Sequence, residues 1–173
     1  MNNYIKMFND NNKSNNYVGI LLDNIEQIKN KTRIKNVNEC GIIMLDQNLS
    51  KLLIIYQNES CKWGFPKGKM EESEYNSREY FSCAKRELYE ETGIILNCNK
   101  YKKLGSIIIK NKLFYIVMLQ SKIRYSKPLD TLEIGKIKWI NVSELCSFIN
   151  KNNCNITIKN IYDYMNCNLK ALY

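Results

Sequence analysis

The chain has 173 residues, with 26 Lys or Arg against 17 Asp or Glu for a formal charge of +9, and 45% hydrophobic residues as in an ordinary soluble domain. It contains no histidine, which excludes Ser-His-Asp and Cys-His nucleophile systems and any zinc site built on imidazole. Proton transfer and metal binding then fall to carboxylates, lysines, tyrosines or cysteines.

Residues 1–16 (MNNYIKMFNDNNKSNN) are Asn-rich and lack apolar periodicity, which predicts a mobile tail ahead of a single domain over 17–173. Within Val18–Lys31, Ile20, Leu21, Leu22, Ile25 and Ile28 predict a short helix. Glu39–Asp46 and Lys51–Gln57 read as strands joined by a turn around Asp46–Ser50, and Pro66 keeps Trp63–Gly68 extended. A polar loop over Met70–Asn76 leads into the strongest helix, Ser77–Thr92. There Tyr80, Ala84 and Leu88 lie four apart, and Gly93 stands where a helix C-terminus wants it. Tyr101–Ile109 and Lys112–Gln120 predict a strand pair turning at Lys110–Asn111. Gly135–Val142 predicts another strand, Ser143 an N-cap for a helix over Glu144–Asn150, and Ile156–Asn166 a last amphipathic helix. Strands and helices mix without strict alternation around a core at residues 39–148, which predicts a mixed sheet with helices on its faces.

Cys40, Cys61, Cys83, Cys98, Cys146, Cys154 and Cys167 form no C-x-x-C pair and follow no secretory signal. Reduced thiols in a cytoplasmic setting are therefore expected. No run approaches the roughly 18 apolar residues that span a bilayer, so no membrane partner is expected. The basic surplus favours polyanions such as nucleic acid, nucleotides or inositol phosphates. Lysines scattered through an Asn- and Ile-rich chain are the plainer account of the same charge.

The informative segment is Arg86-Glu87-Leu88-Tyr89-Glu90-Glu91-Thr92-Gly93-Ile94. On a helix Glu91 lies about 40° around the axis from Glu87, and Glu90 about 60° the other way, while Leu88 points to the core. Like charges at this spacing destabilise a helix, and they crowd the end where its dipole disfavours anions. A hard divalent cation such as Mg²⁺ or Mn²⁺ would reverse that cost. A solvated acidic face is the alternative for three glutamates taken alone. Upstream, Trp63-Gly64-Phe65-Pro66-Lys67-Gly68-Lys69 offers glycines for a tight path and two cations, Lys67 and Lys69, beside backbone that could approach phosphate, with an ordinary Pro-Lys-Gly turn as the alternative.

Together the two pieces resemble the Nudix box: a glycine, five residues, a glutamate, seven residues, then R-E-U-x-E-E-x-G-U with U aliphatic. Gly68, Glu74 and Arg86–Ile94 supply it, but eleven residues separate Glu74 from Arg86, a four-residue insertion. The insertion leaves open whether Glu74 or Glu79 fills the first acidic role. The resemblance implies an α/β/α sandwich and hydrolysis of a nucleoside diphosphate linked to another group. It further implies that Glu87, Glu90 and Glu91 hold Mg²⁺ or Mn²⁺, that Arg86 pins them by ion pairing, and that the loop at Gly68 adds a carbonyl ligand.

Thr131–Trp139 is similar to the segment that mRNA-decapping Nudix enzymes carry before a strand ending in an aromatic residue. Glu133 sits at the position of their base-like glutamate; an exposed loop carboxylate is the alternative. That subgroup also shows W-G-F-P-K-G-K and the Cys83-Ala84 step before Arg86-Glu87. A compact viral-type or otherwise reduced version is expected, lacking the helical regulatory domain that precedes the Nudix domain in eukaryotic decapping enzymes. The expected reaction is cleavage of the cap triphosphate bridge, with capped RNA as substrate and protein partners left open. The alternatives are a hydrolase of diadenosine or diphosphoinositol polyphosphates, and a non-catalytic nucleotide- or RNA-binding module. Trp63 is expected in the core rather than stacked on a base.

Overall fold

The computed structural model describes residues 37–122 and 126–166. The tail expected over 1–16, the helix expected over Val18–Lys31 and the thiol of Cys167 lie outside them. Among the described residues seven strands form one mixed sheet: β1 (Glu39–Leu45), β2 (Lys51–Gln57), β3 (Lys62–Gly64), β4 (Lys67–Lys69), β5 (Tyr101–Ile109), β6 (Lys112–Leu119) and β7 (Ile134–Asn141). The helices are α1 (Glu72–Ser77), α2 (Tyr80–Thr92), α3 (Leu145–Lys151) and α4 (Ile156–Asn166).

β1 and β6 run parallel through the centre, from Glu39 beside Lys112 to Leu45 beside Met118. Such a strand is covered on both faces and reads as a continuous apolar run, as Cys40–Leu45 does. Alternate residues part to two cores. Cys40, Ile42 and Met44 join Leu53, Val117, Ala84 and Leu88 beneath α2, while Ile43 and Leu45 join Leu52, Ile54, Phe114, Ile158 and Ile161 beneath α4. The result is three layers, helix on sheet on helix, as expected from the mixed pattern. Trp63 packs in the second core against Tyr56 and Phe148, as the sequence reading placed it.

β1 and β2 meet at Leu45 and Leu52 and then diverge. Into that fork β4 inserts against β1, with Cys40 opposite Gly68 and Gly41 opposite Lys67, while β7 pairs along β2. The fork therefore presents the Pro66–Lys69 backbone directly to α2. The turn ahead of β2 is held by the Asp46 carboxylate, which accepts from Ser50 N–H at 2.7 Å and Lys51 N–H at 2.9 Å.

Three local expectations are corrected. The loop expected over Met70–Asn76 is largely helical, because Glu71 N–H donates to Glu74 Oε2 at 2.9 Å and starts α1. The helix expected over Ser77–Thr92 begins at Tyr80, because Arg78 adopts a left-handed conformation (φ 57°) that ends α1 and breaks the run. The inserted residues are thus absorbed as a separate short helix. Ser143 is not an N-cap: it lies inside a 3₁₀ turn (Val142–Glu144), and the α-helical geometry starts only after Glu144. Among the described residues no helix is long and apolar enough to cross a membrane. Their six cysteines are free thiols, Cys40, Cys83 and Cys154 buried and Cys61, Cys98 and Cys146 exposed.

Candidate active site

The C-terminal half of α2 lies over β4, and its acidic residues differ sharply in environment. Glu91 is only 3% exposed, and its Oε2 accepts the backbone N–H of Lys67 at 2.8 Å. Burial raises its pKa to about 8, against that hydrogen bond, and the charges of Glu87 and Glu133 add to the rise. Glu87 is raised too, first by burial, with Arg86 opposing and Glu90 and Glu133 reinforcing. The structure thus rejects a solvated acidic face for this helix: two of its carboxylates are held at the sheet surface.

Gly68 explains how Glu87 fits. A Cβ at that position would run into the Glu87 carboxylate, so the glycine lets that side chain lie across the strand where it stands. Gly93 closes the helix in the left-handed region (φ 70°), with its N–H donating to Tyr89 O at 2.7 Å.

Arg86 organises the other side of the cluster. Its Nε and Nη2 donate to the two oxygens of Glu74 at 3.1 and 3.0 Å, and Nη2 also donates to the Lys69 carbonyl at 2.9 Å. Its Nη1 donates to Glu87 Oε1 at 2.7 Å and Glu90 Oε2 at 3.0 Å. A planar guanidinium can serve that many acceptors from one position; a lysine ammonium cannot. Glu74, its pKa lowered chiefly by the Arg86 hydrogen bond, is the box glutamate that meets the arginine, while Glu79 is exposed at the start of α2.

The remaining predicted residues fall as follows. Glu133 is exposed on the turn before β7, near enough to Glu87 and Glu91 to raise the pKa of both. Lys67 does not project freely: its Nζ donates to Glu39 Oε2 at 2.9 Å, and Lys112 pairs with the other oxygen. Burial opposes the charge on Glu39, but these two hydrogen bonds outweigh it and lower its pKa. Lys69 is exposed beside the site. Sequence reasoning missed Glu39 and Lys112: the antiparallel β1–β4 pairing brings Glu39 to Lys67, and the parallel β1–β6 register sets Lys112 beside Glu39.

Among the described residues no three His, Cys, Asp or Glu side chains stand in an arrangement that would clasp an ion as they are. Arg86 occupies Glu87 and Glu90 instead. The donor chemistry nevertheless fits a hard divalent cation. The available atoms are all oxygens: Glu91 is buried with its carboxylate on the Lys67 backbone N–H, and the half-buried Glu87 lies beside it at the strand.

The chain resembles known proteins in domain pattern, in sequence and in fold. The NUDIX domain pattern matches residues 36–162. The mRNA decapping complex subunit 2 of Schizosaccharomyces pombe is 34% identical over 125 residues, covering 69% of this chain and 16% of that protein. The chain thus spans about a sixth of the length of that relative. Putative hydrolase 111R of Invertebrate iridescent virus 3 is 31% identical over 111 residues, 64% of this chain and 57% of that protein. A Caenorhabditis elegans Ap4A hydrolase complex shares the fold at TM-score 0.52 and 14% identity, over 78% of this chain and 98% of that one.

Proposed function

Because the chain belongs to the Nudix family, we propose that it is a divalent-metal-dependent pyrophosphohydrolase acting on the mRNA 5′ cap. The products are 7-methyl-GDP and 5′-monophosphate RNA. The observation that carries this reading is the convergence of Glu87, Glu91 and Glu133 on one spot where burial has raised two of the three pKa values.

Glu87, Glu90 and Glu91 are the ligands assigned to Mg²⁺ or Mn²⁺, with the Gly68 carbonyl as a further donor. An ion held there would supply neutralisation of the phosphate oxygens, acidification of the attacking water and stabilisation of the departing diphosphate. Arg86 holds Glu87 and Glu90 beside the strand and pairs with Glu74 at the same time. Glu133, on its turn at the edge of the cluster, accepts the proton of the attacking water. Lys69 meets the flanking phosphates from solvent. Lys67 contributes its backbone N–H, which fixes Glu91, and its ammonium acts through Glu39 instead of on the substrate.

The choice of capped RNA over a small nucleotide is supported by the likeness to the decapping subunit and by a net charge of +9, which suits an RNA body trailing from the site. A cytoplasmic setting belongs to the same reading. Cap-labelled RNA and diadenosine tetraphosphate, each incubated with Mg²⁺ or Mn²⁺, separate the readings. Labelled 7-methyl-GDP released from RNA, at a rate well above dinucleotide turnover, is expected. Turnover of the dinucleotide alone would transfer the assignment to small-molecule hydrolysis, and turnover of neither would leave a binding module.

A further inference from the structure

The segment that carries Glu133 has almost no apolar anchorage. Leu129 is 58% exposed and Leu132 is 86% exposed, so hydrophobic burial does not fix the turn. Ile134, 1% exposed, anchors only the strand that follows. A proton acceptor on such a turn would wander unless polar contacts held its backbone.

Those contacts come from two side chains outside the Nudix box. Asn58, one residue beyond β2, donates through Nδ2 to the carbonyl of Leu132 at 2.9 Å and of Thr131 at 3.3 Å. Its backbone N–H donates to the carbonyl of Glu133 itself at 2.9 Å. From within the turn, Asp130 Oδ1 accepts the N–H of Leu132 at 2.7 Å and of Glu133 at 3.2 Å. Room for Asn58 is made by Gly135, where the β2–β7 register shifts and where a Cβ would collide with the Asn58 side chain. The near end of the segment is tied to the acidic helix, with Leu129 N–H donating to the Glu90 carbonyl at 3.0 Å.

Resting on the reading of Glu133 as proton acceptor, we propose that Asn58 and Asp130 are positioning residues that lock the Glu133 turn against the carboxylate cluster, with Gly135 as the gap that admits the clamp. The chemistry dictates an unequal pattern of substitutions. Asp130→Asn keeps an oxygen acceptor for both N–H groups. Asn58→Asp loses the donor and sets a carboxylate against two carbonyl oxygens.

The test is a steady-state cycle on the full chain with the preferred phosphoanhydride substrate, alongside thermal midpoints for every variant. Asn58→Asp and Gly135→Ala are expected to lower kcat about 10- to 100-fold with KM within about twofold, while Asp130→Asn stays near wild type. In a Glu133→Gln background Asn58→Asp is expected to add less than about a twofold further loss, because the group it positions is already gone. Wild-type turnover by Glu133→Gln alone would overturn the Glu133 reading, and this inference with it. An impaired Glu133→Gln combined with silent Asn58→Asp and Gly135→Ala would overturn the clamp and leave the Glu133 reading standing. So would an undiminished Asn58→Asp loss in the Glu133→Gln background. Gly135→Ala keeps the test decisive if Asn58→Asp fails to fold.

Discussion

Glu91→Gln is expected to cut hydrolysis by about 10³-fold, about 4 kcal/mol of transition-state stabilisation, while making the metal-free protein more stable at alkaline pH. The two effects have one cause. Glu91 is buried, and its pKa stands at about 8 in the fold against an ordinary 4.5. Between those values the folded chain holds a proton that the unfolded chain has released, so the contribution of Glu91 to stability is fully present below pH 4.5 and is lost as pH rises through 8. Glutamine keeps an oxygen for the Lys67 N–H and removes the charge that must be desolvated. Thermal unfolding in chelator should therefore show the variant above wild type at pH 8.5, by several degrees, and level with it near pH 5. A variant less stable than wild type at pH 8.5 would mean that Glu91 is compensated within the protein itself.

Gly68→Ala is the second large effect, and it tests the strand rather than the helix. The added methyl has no space, since the Glu87 carboxylate already lies where it would go. Either β4 shifts off β1 or Glu87 swings away from Arg86. The first costs roughly 1–3 kcal/mol of stability, as overpacking usually does. The second misplaces a proposed ligand by about an ångström or more, enough to lose on the order of 10²-fold in activity. Loss of turnover with a small drop in thermal midpoint is expected. Wild-type activity in this variant would show that the Glu87 position is not needed.

Much of this arrangement could be read from the residues in order. β1, β2, β5 and β6 follow from apolar runs and turn positions, and α2 from the four-residue spacing of Tyr80, Ala84 and Leu88. Both ends of the acidic helix behaved differently. Gly93 marks its C-terminus in any reading, but nothing in Asn76-Ser77-Arg78-Glu79 announces a break, because arginine rarely takes a left-handed conformation and the strain is accepted only in the folded chain. A signal for α1 was present in the Glu71…Glu74 spacing and is easily lost among polar neighbours.

The candidate site was legible in its residue types and not in its partnerships. Glu87, Glu90 and Glu91 share a face by helix geometry alone, yet only the sheet beneath decides that Glu91 is buried and Glu90 half exposed. The ion pairing of Lys67 could not be foreseen, because Glu39 lies 28 residues away and Lys112, which shares that carboxylate, 45 residues away. Asn58 lies 74 residues from the carbonyl of Leu132 that it holds, a distance that no spacing rule bridges.

The most direct measurement is a Mn²⁺ titration at pH 8, followed by calorimetry or by the loss of the free-ion paramagnetic signal, on wild type and Glu91→Gln. Saturable uptake by wild type, weakened at least tenfold in the variant, is the predicted result. Wild type that leaves the ion free, or a variant that takes it up equally well, would contradict the claim that these carboxylates exist to hold a cation.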